Sequence, residues 1–322
     1  MTNKSEAISL ALEQQKKALA KKTYEYEAKI AAIESENEEF AQMSADLNML
    51  GSQIAITALS GDSEKLAKIQ KEIAQISAFR KEILTSLGVK EIEYDCPLCK
   101  DKGVVSNEYC SCIKKRAREI VIYDLSKSLP LDECTFESFD LSLYPETDEN
   151  GNLPRHKMSQ VLSLCKDYAE SFNPKYSENL LFLGSAGLGK THLSLSIVST
   201  VINKGFDVIY GSAYNLFSEM ENEHFVGRTN DSFSRAVSCD LLVIDDLGSE
   251  FVSPYIQSLL YNIVNTRLLA KKPIIISTNL SMAEIENRYT PRVSSRFLGS
   301  YTAKKFFGKD IRQIKAMEKL KK

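Results

Sequence analysis

The chain has 322 residues, enough for two domains or for one domain with an extension. Its 43% hydrophobic and 26% charged residues are the balance of a globular protein, and a net charge of −2 excludes a polycation, so any nucleic-acid surface has to be local. No apolar stretch approaches the ~20 residues of a membrane span and the polar start lacks a signal-peptide core, which predicts a cytoplasmic protein whose seven cysteines are not a disulfide framework.

Residues 1–90 are read as a helical domain. Leu12, Leu19, Tyr26, Ile33, Phe40 and Leu47 recur every seven residues, a repeat that keeps one apolar seam facing another helix. Gly61-Asp62-Ser63 reads as a break with a new N-cap, after which Leu66, Ile69, Ile73, Ile76, Ile83 and Leu87 resume helical spacing. The expectation is one long helix folding back on a shorter one as a coiled coil. Because the first is longer, part of its seam is left for a partner or a second copy. Spacing alone leaves a plain amphipathic hairpin equally open.

Residues 91–128 are read as a metal module. Cys96-Pro97-Leu98-Cys99 and Cys110-Ser111-Cys112 supply four thiolates, which suit one tetrahedral Zn²⁺ with no open position for catalysis. An iron–sulfur set and a redox pair are the alternatives, the latter leaving two cysteines unexplained. Asp101-Lys102-Gly103 suits a hairpin turn, and Cys134, Cys165 and Cys239 read as small buried residues. Residues 144–155 read as a polar loop, and residues 157–172 as an amphipathic helix.

Residues 129–322 are read as an ATPase domain. Strands are predicted at 180–184, 207–211, 240–246, 273–278 and 301–306, with helices near 190–203, 212–222, 254–270 and 281–289. This alternation predicts a five-stranded parallel α/β sheet. Between the first strand and helix lie Gly184, Ser185, Ala186, Gly187, Leu188, Gly189, Lys190 and Thr191, a full G-x-x-x-x-G-K-[ST] phosphate-binding loop. Its glycines let the backbone turn its N–H groups toward phosphate at a helix N-terminus. Lys190 is expected on the β- and γ-phosphates and the Thr191 hydroxyl on Mg²⁺.

Leu241-Leu242-Val243-Ile244-Asp245-Asp246 is an apolar strand ending in two acids, a Walker B arrangement. Asp245 is expected to hold Mg²⁺ through its water shell and Asp246 to orient or deprotonate the attacking water, with Glu250 a second candidate. Asn279, ending the next strand, is placed beside the γ-phosphate; Asn in such a place is also a common turn former. Arg292, Arg296 and Arg312 follow, where guanidinium groups either stabilise transferring phosphoryl charge or simply solvate helices.

With these motifs quoted, together with His192-Leu193, Leu247-Gly248-Ser249-Glu250, Ser277-Thr278-Asn279, Arg292-Val293-Ser294-Ser295-Arg296 and Gly308-Lys309-Asp310-Ile311-Arg312, residues 130–315 resemble the DnaC/DnaI-like replicative helicase loaders. These are AAA+ ATPases whose domain is shared with the transposition helper IstB. The resemblance implies sensor 1 at Asn279, an arginine finger at Arg296 that reaches a neighbouring subunit's ATP, sensor 2 at Arg312, nucleotide contact by His192, and an adenine-lining segment at Phe136-Glu137-Ser138-Phe139. It also implies slow hydrolysis from an Asp-Asp pair, and no helical lid, since about 16 residues follow the last strand. The implied function is ATP-dependent loading of the hexameric helicase onto single-stranded DNA, with the N-terminal helices as grip and self-association through Arg296. The alternative is an IstB-like helper that acts on duplex DNA and recruits a transposase. Tyr214, Phe217, Arg228 and Arg235 are candidates for single-strand contact. The stretch from Lys304 to Lys322, net +6, is a candidate for phosphate contact or a basic solvated end.

Overall fold

The computed structural model describes residues 4–60, 62–127, 129–148, 151–226 and 231–320. The chain divides into two compact units, Ser9–Ile113 and Lys114–Lys322 with Met1–Ile8.

The first unit is built on helices α1 (Lys4–Glu36), α2 (Glu38–Ser60) and α3 (Ser63–Ser86), so the single long helix expected before residue 60 is two. Asn37 is the reason: its Oδ1 accepts the N–H of Phe40 at 3.0 Å, a side-chain bond in place of a helical carbonyl. Phe40 is fully buried with Ile30 and Leu84, Ile33 and Ile83 packing around them, and the Arg80 guanidinium lies 4.8 Å above its ring. Asp62 caps α3 by accepting from the Lys65 N–H, while Gly61 of the predicted break lies outside the described residues. The cysteine module follows with an antiparallel hairpin of β1 (Val104–Val105) and β2 (Glu108–Tyr109). Its turn is Ser106-Asn107, both at positive φ, a pair of left-handed residues suited to a two-residue hairpin. The predicted turn at Asp101-Lys102-Gly103 instead wraps the Cys99 sulfur, which accepts the Gly103 N–H at 3.3 Å.

Helix α4 (Ser111–Ser126) leads to α5 (Pro154–Glu170) and the sheet. The strands are β3 (Asn179–Leu183), β4 (Val208–Ser212), β5 (Leu241–Leu247), β6 (Ile274–Thr278) and β7 (Tyr301–Lys305). They pair in the order β4-β5-β6-β3-β7, every pair parallel, and each stands within a residue or two of its prediction. The strands β5 and β6 read as unbroken apolar runs because both faces are covered. Alternate residues feed two cores. Leu180, Phe182, Tyr210, Leu241, Val243 and Ile275 pack against α5 and α6 (Lys190–Asn203). Leu181, Leu242, Ile244, Ile274 and Ile276 pack under α7 (Ala213–Phe225) and α9 (Pro254–Leu269). Completing the unit are α8 (Asp231–Ser238), α10 (Met282–Tyr289), α11 (Pro291–Ser300) and α12 (Ile311–Leu320). Among the described residues no helix is long and apolar enough to cross a membrane.

Candidate functional site

The carboxyl ends of β3, β5 and β6 meet, as parallel order requires of a ligand crevice. Between β3 and α6, Gly184, Gly187 and Gly189 hold φ of 150°, 73° and 88°. A Cβ on Gly187 would lie 1.9 Å from the Asp310 carboxylate, and one on Gly189 2.7 Å from the Phe139 ring and 2.9 Å from the Tyr144 hydroxyl. These positions therefore demand glycine for both conformation and space.

Tyr144 was hidden in a stretch that reads as polar loop. It is fully buried, and its hydroxyl donates to the Leu188 carbonyl at 2.9 Å, pinning the phosphate loop from below. Phe139 stacks on Tyr144 and meets His192 edge-on. The Nε2 of His192 lies 2.7 Å from the Thr135 carbonyl, which only accepts, so the ring carries its proton there. Burial lowers the pKa of this imidazole, keeping it neutral. The segment 136–139 thus packs on the first turn of α6.

The buried Lys190 ammonium donates to the Gly184 and Ser185 carbonyls at 2.6 and 2.8 Å and to Asn279 Oδ1 at 2.6 Å. Asn279 Nδ2 donates to Asp246 Oδ1 at 2.9 Å, so the two partners fix the orientation of the amide. Burial pushes the Lys190 ammonium below the ordinary lysine range, Arg312 adds to that shift, and Asp246 and Asp245 oppose it. Thr191 Oγ1 donates to Asp245 Oδ2 at 2.8 Å. Asp245 is itself buried and also accepts from the hydroxyls of Tyr210 and Ser277. Asp246, at φ 54°, sits at a bulge within β5, and its N–H donates to Ser277 Oγ.

The donor set fits the groups that the motifs imply. A hydroxyl and a carboxylate 2.8 Å apart are hard oxygen ligands suited to Mg²⁺, at the start of the helix that follows the glycine-rich loop. Hydrogen bonds link Lys190, Asn279 and Asp246 to one another and Thr191 to Asp245, so the structure brings these five residues together.

Of three further candidates, Glu250 and Arg296 stand elsewhere, while Arg312 lies beside the phosphate loop. Glu250 is buried, with its carboxylate accepting from Tyr289 OH and the Gly248 N–H, so it shapes the turn after β5 and is not presented to a water. Arg296, on α11, donates to Asn265 Oδ1 at 2.9 Å and lies over the Tyr261 ring, both on α9. Arg312 is exposed at the start of α12, 3.6 Å from Asp310, while the neighbouring Ile311 N–H donates to the Gly187 carbonyl. Among the DNA candidates, Tyr214 is exposed and Arg235 half-buried; Phe217 belongs to the core under β5, and Arg228 lies outside the described residues.

In the first unit, the sulfurs of Cys96, Cys99, Cys110 and Cys112 all lie within 4.8 Å of one another. The closest pairs are at 3.5 and 3.7 Å. Bonds of about 2.3 Å to a tetrahedral zinc ion separate sulfurs by about 3.8 Å, so the set fits zinc. Donation from the Cys112 N–H lowers the pKa of the Cys110 thiol, while burial raises those of Cys99 and Cys112. Asp101, buried beside them, accepts from the Cys96 and Asp95 N–H groups and from Lys22 of α1. Burial opposes its ionisation, but those donors outweigh it and lower its pKa. This support was not legible as a motif, because Lys22 lies far from the cysteines in sequence.

Sheet order, phosphate loop, the paired acids Asp245-Asp246 and Asn279 at the end of β6 define a P-loop nucleotide-binding domain of the AAA+ class. More particularly, the chain belongs to the IstB-like ATP binding protein family, whose model matches residues 116–293, over half of its length. It is 30% identical over 173 residues to the insertion sequence IS5376 ATP-binding protein of Geobacillus stearothermophilus, covering 53% of this chain and 62% of that one. It is 27% identical over 150 residues to the replicative helicase loader DnaC of Escherichia coli strain K12, covering 46% and 61%. The match thus spans about three-fifths of the length of these relatives. A crystal structure of the DnaC helicase loader aligns with 56% of this chain and 100% of its own, at 21% identity and a TM-score of 0.48. Helicase loaders and insertion-sequence ATP-binding proteins both stand among the relatives.

Proposed function

We propose that the protein is an ATP-dependent loader of the replicative DNA helicase. ATP with Mg²⁺ is bound at residues 184–191, Thr191 and Asp245. The metal supplies charge neutralisation between the phosphates and a fixed position for them. Lys190 exchanges its contacts with Gly184, Ser185 and Asn279 for phosphate oxygens. Asp246, oriented through Asn279, accepts the proton of the attacking water. Arg296, released from Asn265, completes the site of a neighbouring copy, and Arg312 serves the site of its own chain. Single-stranded DNA is held by a surface that includes Tyr214. The four cysteines hold Zn²⁺ as a structural ion.

The observation that carries the loader reading is the helical unit ahead of the ATPase. On α2, Met49, Ile56 and Leu59 recur at helical spacing yet are 55%, 69% and 91% exposed. An apolar stripe left in water on a long helix is what a gripping surface for a partner protein requires. ATP binding at the second unit would bias that grip between holding and release.

The test is loading itself. Helicase hexamers should accumulate on circular single-stranded DNA only when wild-type protein and ATP are both present. Loading that is indifferent to the protein would sink the reading. The 30% identity to an insertion-sequence protein favours a second reading, a transposition helper on duplex DNA. It predicts retention of a transposase, and no helicase, by the same chain.

A further inference from the structure

Asp245 is held by more than the phosphate loop. Its Oδ2 accepts from Thr191 Oγ1 at 2.8 Å and from the Tyr210 hydroxyl at 2.7 Å, and its Oδ1 accepts from Ser277 Oγ. Ser277 Oγ in turn accepts the N–H of Asp246 at 2.9 Å, so one hydroxyl sets both acids. A carboxylate offers about four acceptor positions. Three are filled by these hydroxyls, which leaves one position, on Oδ1, for a metal-bound water.

The fold explains how Tyr210 reaches this point. Tyr210 pairs with Val243 across β4 and β5, and Asp245 lies two residues further along on the same face. Two residues of strand rise about 6.6 Å, about the reach of a tyrosine side chain from Cα to oxygen. The ring fills the core beside α6 and is 3% exposed, so the phenol cannot swing to solvent, and among the described residues its hydroxyl is held by Asp245. A phenylalanine would fill the same volume. The hydroxyl at this position is a choice about Asp245.

We propose that Tyr210, with Ser277, is a positioning residue for the Mg²⁺ site. It locks the Asp245 carboxylate in the one rotamer that presents its remaining acceptor position to the metal's water shell, before nucleotide arrives. This inference rests on the reading of residues 184–191 and Asp245 as the ATP and Mg²⁺ site. Thr191 is the donor most affected by metal entry, because its oxygen is itself the expected ligand. Tyr210 and Ser277 are the two that remain to hold Asp245 in either state.

The experiment compares wild type, Tyr210→Phe and Ser277→Ala, with Lys190→Met as a control. A fluorescent ATP analogue is titrated first in EDTA and then over a Mg²⁺ series, with a thermal melt of each protein. Partners that orient a metal ligand are worth about 10- to 100-fold in metal affinity. The expected result for Tyr210→Phe is a Mg²⁺ midpoint raised at least about 10-fold, with affinity in EDTA unchanged and the melting temperature lowered by only the several degrees that one lost hydrogen bond to a buried carboxylate costs. Ser277→Ala should move the midpoint in the same direction. A Mg²⁺ midpoint unchanged in Tyr210→Phe overturns the proposal. So does a variant that loses nucleotide equally in EDTA, because the hydroxyl then serves the fold and not the metal. If wild type itself binds no nucleotide, or binds it no better than Lys190→Met, the ATP reading fails instead. The two failures are thus distinguishable.

Discussion

Replacing Lys190 with methionine separates what the phosphate loop does from what it costs. Methionine keeps most of the length and the packing of the stem while removing the charge. In the structure the ammonium makes three bonds of 2.6–2.8 Å, to two carbonyls of its own loop and to Asn279. Nucleotide binding trades these for phosphate oxygens. A hydrogen bond to a charged group contributes about 1.5–3 kcal/mol, so losing one to two such contacts costs about 3 kcal/mol, or more than 100-fold in affinity. Stability should respond differently. The loss of three bonds is offset by no longer burying a cation, whose pKa burial already lowers. The melting temperature should therefore stay within a few degrees. Equilibrium titration with a fluorescent ATP analogue in Mg²⁺, beside a melt of the same sample, checks both. Affinity within threefold of wild type would refute the placement of Lys190 at the phosphates, and a collapsed melt would show the lysine to be a structural strut.

Other substitutions test the rest of the architecture. Gly189→Ala combines a φ of 88° with a methyl 2.7 Å from buried Phe139, and should cost about 2–4 kcal/mol of stability, measured by denaturant unfolding. Purified protein should carry one zinc per chain by elemental analysis and Cys110→Ser should carry none, while Asp101→Asn should weaken zinc in competition with a chelator by about 10- to 100-fold. Arg296→Ala and Lys190→Met should each abolish ATP turnover alone. Mixed together they should regain part of it, because one copy supplies the intact site and the other the arginine; no recovery in the mixture would confine Arg296 to its contact with Asn265.

The nucleotide site was legible because its chemistry is written in consecutive residues. Gly184 to Thr191 and Asp245-Asp246 carry their own spacing, and the apolar runs around them fix the strands that bring the two together. What sequence hid were partners distant along the chain. Tyr144 sits in a loop of prolines and acids, and only the fold turns it inward to the Leu188 carbonyl. Tyr210 reads as ordinary strand core until its register against β5 is known. Lys22 reaches the cysteine module from α1. Seven-residue spacing ran through Phe40 without registering that Asn37 competes for its N–H, so one expected helix became two. Glu250 shows the opposite error: an acid five residues after Asp245 is a plausible catalyst in sequence, yet Tyr289 claims it within the fold.

The proposed loader depends on its helical unit gripping a helicase under control of ATP. The most direct measurement is retention of the replicative helicase from the same host on the immobilised full-length protein in ATP, for wild type and for a variant with Met49, Ile56 and Leu59 changed to aspartate. Strong retention by wild type, lost in the variant while nucleotide binding and melting temperature persist, is the predicted result. Failure of the wild-type protein to retain helicase in ATP, in ADP and without nucleotide would contradict the account.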